Sequence, residues 1–79
     1  MRIRFNRDAA TQATETIWHH TQQVERRRDG SATLTFQVDG LDEILWWLLQ
    51  WAGFAEILEP PELKAAYRSQ LKAAALLNR

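Results

Sequence analysis

The pair Asp29-Gly30 constrains the fold most, because it separates two extended runs within residues 22–38. Asp-Gly between such runs is a strong signal for a β-hairpin. A two-residue loop would place Val24 opposite Thr35, whereas a three-residue loop with its glycine left-handed places Val24 opposite Leu34. Because the longer loop pairs apolar residues with each other, we predict that register.

This register gives the hairpin two unlike faces, since successive side chains of a strand point to opposite sides. One predicted face carries Gln22, Val24, Arg26, Leu34, Phe36 and Val38, and the other carries Gln23, Glu25, Arg27, Thr33 and Thr35. Near the start of the chain, Ile3 and Phe5 alternate with Arg2 and Arg4, up to Asn6. This period of two predicts another strand, whose arginines join the polar face.

Two helices are predicted to connect the strands. The first is capped by Asn6 or Asp8 and runs to Trp18, before the His19-His20-Thr21 interruption, with apolar residues at spacings of three and four: Ala9, Ala10, Ala13 and Ile17. The second lies between Gly40 and Gly53, with a wide apolar stripe formed by Leu41, Ile44, Leu45, Leu48 and Ala52.

A strand and a third helix are predicted for the rest of the chain. Residues 55–58 suit a short strand, and the rigid break at residues 59–62 places proline where a helix begins. That helix has an apolar side with Leu63, Ala66, Tyr67, Ala74 and Leu77, and a basic side with Lys64, Arg68 and Lys72.

The predicted elements alternate as strand, helix, strand, strand, helix, strand, helix. The first six match the split βαβ plan of ferredoxin-like domains. We therefore predict a single α+β domain over residues 1–79: a ferredoxin-like βαββαβ sandwich with an additional C-terminal helix. Its antiparallel sheet would have both crossover helices on one face, leaving the other face open.

Composition excludes several classes of protein. Ten basic and ten acidic residues give no net charge, unlike a strongly basic nucleic-acid binder. The charges are nevertheless segregated, with six acids and no base from Asp39 to Glu62 and four bases and no acid after Glu62. The absence of cysteine fits a reducing compartment, and the apolar runs are too short for a membrane span, so we expect a cytoplasmic protein.

No pattern in the sequence indicates catalysis. His19 and His20 are adjacent, so their side chains diverge and are poorly placed to share a metal. The acidic pair Asp42-Glu43 is explained by the dipole at a helix start, and the glycines are too far apart for a phosphate loop. We expect no enzyme, no catalytic residue, no metal and no cofactor.

Three tryptophans of the second predicted helix lie outside its apolar stripe. Trp46 and Trp47 are predicted on opposite flanks of it, and Trp51 borders it. They either extend a thin core or form an interface, and at least one should be partly exposed.

The polar sheet face is a candidate ligand site. Its candidate anion-binding or nucleic-acid-binding residues are Arg2, Arg4, Gln23, Arg27, Thr33 and Thr35. Arginines beside hydroxyls and amides can hold phosphate, although the face has no aromatic residue for base stacking. The alternative is that Glu25 pairs with Arg27 or Arg4 and neutralises the charge internally.

Four segments occur in an order that resembles one family: Trp18-His19 with Gln22, Asp29-Gly30-Ser31, residues 41–53, and Leu58-Glu59-Pro60-Pro61-Glu62-Leu63. Together they resemble the WYL C-terminal extension, or WCX, domain over essentially the whole chain. His20 departs from the proline or similar residue that is usual at this position.

The resemblance implies the C-terminal regulatory module of a bacterial WYL-type helix-turn-helix transcriptional regulator. Its partners would be the preceding WYL and helix-turn-helix domains, a second copy in a homodimer, and a nucleic-acid or nucleotide-like effector, with no membrane. The alternative is a purely structural homodimerisation module or a small-molecule-binding module, in which the tryptophan helix packs against a copy of itself.

Overall fold

The computed structural model describes residues 1–15, 22–37 and 40–79. Its elements follow the predicted order: β1 Arg2–Phe5, α1 Ala10–Thr14, β2 Gln23–Arg26, β3 Ala32–Thr35, α2 Leu41–Leu49, β4 Ala55–Glu59 and α3 Pro61–Leu77. The α+β class and the C-terminal helix are confirmed.

The four strands form one open sheet in the order β2-β3-β1-β4. Every neighbouring pair is antiparallel, so β1 lies between β3 and β4 while β2 and β4 are the edges. The predicted antiparallel open sheet is confirmed.

The predicted hairpin register is also confirmed. Val24 lies opposite Leu34, and the Arg27 amide donates to the Ser31 carbonyl at 2.9 Å, which closes a three-residue loop. Gly30 has a φ of 91°, a conformation that favours glycine. The Asp29 carboxylate accepts from the backbone N–H and the hydroxyl of Ser31, at 2.9 and 2.6 Å.

The core lies between one sheet face and the helices. Its buried side chains are Ile3, Phe5, Ala32, Leu34 and Ile57 from the sheet, Phe36 just after β3, Ala10 and Ala13 from α1, Ile44, Leu45 and Leu48 from α2, and Leu63 and Tyr67 from α3. Strand alternation turns the charged residues of β1 and β4 away from this core.

Helix α2 ends earlier than the sequence suggested. It stops at Leu49, and the N–H groups of Trp51 and Ala52 donate to carbonyls three residues back, in turns that tighten the chain. Ala52 is therefore exposed and is not part of the core stripe, so that prediction was wrong. Gly53, with a φ of 88°, then lets the chain reverse into β4.

Helix α1 begins at Ala10 without a side-chain cap. Asn6 still contributes, because its side-chain oxygen accepts from the N–H groups of Asp8 and Ala9. The predicted end of this helix at Trp18 and the interruption at His19-His20 lie outside the described residues. The same is true of Val38, which was predicted to end the second strand of the hairpin.

Only the first part of α3 is packed. Leu63 and Tyr67 are buried and Ala66 is half-buried, but every residue from 68 to 79 is exposed. The predicted apolar side therefore divides into a packed half and an exposed half that includes Ala74 and Leu77.

Candidate anion-binding face of the sheet

The open face of the sheet carries two rows of polar side chains that cross all four strands. The strand registers align Gln23, Thr35, Arg2 and Glu59 in one row, and Glu25, Thr33, Arg4 and Glu56 in the other. Five of the six predicted ligand residues are thus brought together. The sixth, Arg27, lies opposite Ser31 beyond the end of β2, beside the hairpin loop.

Both arginines of β1 are paired with glutamates of β4. Arg4 pairs with Glu56, and the Arg2 guanidinium lies 3.5 Å from a Glu59 carboxylate oxygen. All four side chains keep between 43% and 61% of their surface exposed, so solvent screens both pairs.

These glutamates are the residues that sequence reasoning missed. It named Glu25 as the internal partner, whereas the ion pairs of the structure use Glu56 and Glu59. A register shift between Arg2 and Ile3 skips Leu58, so that Glu59 lies opposite Arg2. Strict alternation would have placed Leu58 on the face of Glu56, so the bulge carries the second acid to the polar face.

Thr33 and Thr35 belong to β3 and lie between the polar residues of β1 and those of β2. Thr33 is only 2% exposed although it lies on the open face, and Thr35 is half-buried. The Thr33 hydroxyl has no hydrogen-bond partner among the residues described. This hydroxyl lies beside Arg4, and it can donate to an oxyanion once the side chains that cover it move apart.

One end of the polar face opens into a cleft of about 590 Å³. The end of β1, the hairpin loop and the turn before β4 line it with Arg4, Asn6, Arg7, Asp29, Ser31, Gly53, Phe54, Ala55 and Glu56. The hydrogen bonds from Ser31 lower the pKa of Asp29, so this carboxylate stays ionised. The cleft therefore presents both signs of charge.

The three tryptophans do not form one surface. Trp47 and Trp51 pack edge-on against Phe5, with ring centroids 5.7 and 6.0 Å away, and against each other at 6.2 Å. Trp46 is 63% exposed. The prediction that at least one tryptophan is partly exposed is confirmed.

Within the described ranges, no cluster of three metal-ligating side chains occurs. His19 and His20 lie outside those ranges. No helix there is long and apolar enough to cross a membrane.

The sequence also matches the model of a known protein family. The model of the WCX domain matches residues 1–75. The chain belongs to the WCX domain family. No curated protein matches this WCX domain.

Proposed function

We propose that this WCX domain is the C-terminal regulatory module of a WYL-type helix-turn-helix transcriptional regulator. In that role it contributes to sensing a nucleic-acid or nucleotide-like anion and to setting the dimer arrangement. The observation that carries the proposal is the family match over residues 1–75 together with the two polar rows on the open sheet face.

The proposal includes a ferredoxin-like plan for the fold. The sheet order supports it, because β3 lies between β1 and β2 while β1 lies between β3 and β4. Each connecting helix would then join two strands that are separated by a third, as in a split βαβ unit. Such a plan leaves the second sheet face free for a ligand.

The charge balance of the face is compatible with a weak, exchangeable anion site. An anion that binds Arg2 or Arg4 must compete with Glu59 or Glu56. Exposed ion pairs of this kind contribute only about 0–1 kcal/mol, whereas a hydrogen bond to a charged group contributes about 1.5–3 kcal/mol. A phosphate held by Arg4 gains this further contribution only if the buried Thr33 hydroxyl is uncovered as Glu56 is displaced.

Binding becomes regulation through linkage. An anion that binds one arrangement of the regulator more tightly shifts the equilibrium toward it, and thereby changes operator affinity. The sheet face supplies the differential contact if a neighbouring domain closes over it.

The test is a titration of labelled single-stranded DNA and of nucleotides into this chain, followed by fluorescence anisotropy at several salt concentrations. We expect salt-dependent binding that Arg4→Ala weakens by about tenfold or more. Glu56→Gln should strengthen binding a few-fold, because it frees Arg4 from its partner.

Arg28→Ala is the matched control, since it removes one arginine from the hairpin loop and leaves both rows intact. If Arg28→Ala weakens binding as much as Arg4→Ala, the anion responds to net charge and the assigned face is wrong. If neither nucleotides nor single-stranded DNA bind, the sensing role fails for this chain.

Homodimerisation without effector sensing is the second candidate function. The exposure of Trp46 favours it, because a large aromatic side chain left in water is typical of contact surfaces.

A further inference from the structure

The outward faces of α2 and α3 carry opposite charge. On α2, Trp46 follows Asp42 by four residues and Glu43 by three, so both acids flank the exposed indole on the helix surface. On α3, Lys64, Arg68 and Lys72 succeed one another at steps of four and form one basic ridge. All of these charged side chains are exposed.

None of them has an ion-pair partner within the described part of the chain, in contrast to Arg2 and Arg4. The two helices are also neighbours, because α2 and α3 contact each other and both contribute side chains to the same core, Leu48 from α2 and Leu63 and Tyr67 from α3. An acidic surface with a tryptophan and a basic ridge therefore lie side by side on the outside of the same core.

Helix α3 extends beyond what its own core requires. After Tyr67, its last buried residue, the helix continues for ten residues to Leu77, which corresponds to about 15 Å. Leu71, Leu76 and Leu77 are exposed along this segment, the last at 85%. This half of α3 is accessible to another molecule.

We propose that a second copy of this chain covers these faces, with the basic ridge of each α3 on the acidic, tryptophan-bearing face of the other α2. A two-fold axis makes the contact reciprocal, so that each α2–α3 contact occurs twice. Arg68 or Lys72 then lies over the Trp46 ring and beside Asp42 or Glu43, where cation–π and ion-pair attraction act together.

The charges favour this arrangement over a contact between two α2 helices. Such a contact would oppose Asp42 and Glu43 to their own copies, and a contact between two α3 ridges would oppose bases to bases. Like charges placed together destabilise an interface, whereas the exchanged contact between α2 and α3 neutralises both faces. The proposal rests on the dimer part of the proposed function and does not depend on effector sensing.

Sedimentation velocity of the 79-residue chain, measured up to about 1 mM and at several salt concentrations, tests the proposal. We expect a dimer that dissociates as salt rises. Trp46→Ala should raise its dissociation constant by about tenfold or more, as expected for a central aromatic contact.

A mixing experiment identifies the paired surfaces. The variant Asp42→Lys/Glu43→Lys and the variant Arg68→Glu/Lys72→Glu should each be monomeric, since each opposes like charges. Mixed together they should form a heterodimer, because the reversed α2 of one variant faces the reversed α3 of the other. The control variant Arg27→Glu/Arg28→Glu has the same net charge as Arg68→Glu/Lys72→Glu but an intact basic ridge. It should therefore not pair with Asp42→Lys/Glu43→Lys.

The Arg68→Glu/Lys72→Glu variant alters only exposed residues of α3, so we expect it to fold. If Asp42→Lys/Glu43→Lys is unstable, the loss of the dimer in the α3 variant alone tests the proposal. A monomeric wild-type chain overturns the proposal, as does a dimer that survives this double reversal. A monomer that binds anionic phospholipid vesicles through Arg68 and Lys72 overturns it too, and assigns the ridge to a membrane surface. These results are read from mass, so they are distinct from failure of the anion titration.

Discussion

Gly30, at the tip of the hairpin, lies directly against Arg7, which follows β1. A Cβ atom on Gly30 would lie 2.9 Å from the Cβ of Arg7, closer than such atoms approach in folded proteins. The backbone of Gly30 also has a φ of 91°. Two separate constraints therefore require glycine at this position, and the close approach to Arg7 joins the hairpin loop to the end of β1.

Gly30→Ala should lower the free energy of unfolding by about 2–4 kcal/mol, because it adds backbone strain and a steric clash. Gly53→Ala should cost only about 1–2 kcal/mol, since alanine is strained at a φ of 88° but no atom beyond the two neighbouring residues lies within 4 Å of the added Cβ. Gly40→Ala, with neither constraint, serves as the control and should change stability by less than about 1 kcal/mol. Urea unfolding of the three variants measures the order, and equal losses at Gly30 and Gly53 would exclude the clash with Arg7.

Trp46 and Trp47 should differ in how much they contribute to the stability of the monomer. Trp47→Ala removes a ring that packs on Phe5 and Trp51, so it should cost about 2–4 kcal/mol of stability. Trp46→Ala, at an exposed position, should change the stability of the monomer by less than about 0.5 kcal/mol. Thermal unfolding of dilute protein checks both, and a large loss from Trp46→Ala would place that ring in the core.

Asp29 makes stability depend on pH. Its pKa is lowered in the folded chain by the hydrogen bonds from Ser31, so the ionised form stabilises the fold at neutral pH. That contribution should be lost as the pH falls below the ordinary value of 3.8, because protonation weakens the bonds. Asp29→Asn should flatten this part of the acid unfolding curve, measured by circular dichroism, relative to Asp8→Asn. An unchanged slope would contradict the assignment.

Tyr67 carries a hydroxyl that the core does not need. It is 6% exposed, its hydroxyl has no hydrogen-bond partner within residues 1–15, 22–37 and 40–79, and burial raises its pKa. Tyr67→Phe should therefore raise the free energy of unfolding by about 1 kcal/mol, because an unsatisfied polar group is removed without loss of packing. A loss of stability in chemical denaturation would show that the hydroxyl is bonded.

The pair Arg4–Glu56 should contribute little to stability. A double-mutant cycle with Arg4→Ala and Glu56→Ala should give a coupling free energy of about 0.2–1 kcal/mol, decreasing as salt is added, because both side chains are about half exposed. The variants Arg2→Ala and Glu56→Ala, whose residues lie in different rows, provide the reference cycle with a smaller coupling. A coupling free energy well above this range would mean that Arg4 and Glu56 stabilise the fold strongly. It would argue against a site where an anion displaces Glu56 from Arg4.

Most of the fold could be predicted because its signals are local. The Asp29-Gly30 turn and the pairing of Val24 with Leu34 fix the hairpin, and alternation fixes β1. The end of α2 could not be predicted this way, since Trp51 leaves the helix to pack on Phe5, a contact that is distant in sequence. Helical periodicity alone predicted that Ala52 continues the apolar stripe, although the helix ends at Leu49.

The candidate site was predicted in part for the same reason. The rows of Arg2, Arg4 and Thr33 follow from strand alternation. The pairing of Arg2 with Glu59 depends on a bulge at Leu58, and no sequence pattern marks that bulge. The bulge adds Glu59 to Glu25 and Glu56, so the two rows carry three acids and two arginines.

The most direct test of the anion-binding face is a two-dimensional NMR titration of the labelled chain with single-stranded DNA. We predict saturable shifts concentrated on β1 and β3, at Arg2, Arg4, Thr33 and Thr35, with little change on α2. Shifts confined to the α3 ridge, or none at all, would contradict the assignment of the open sheet face as the effector site.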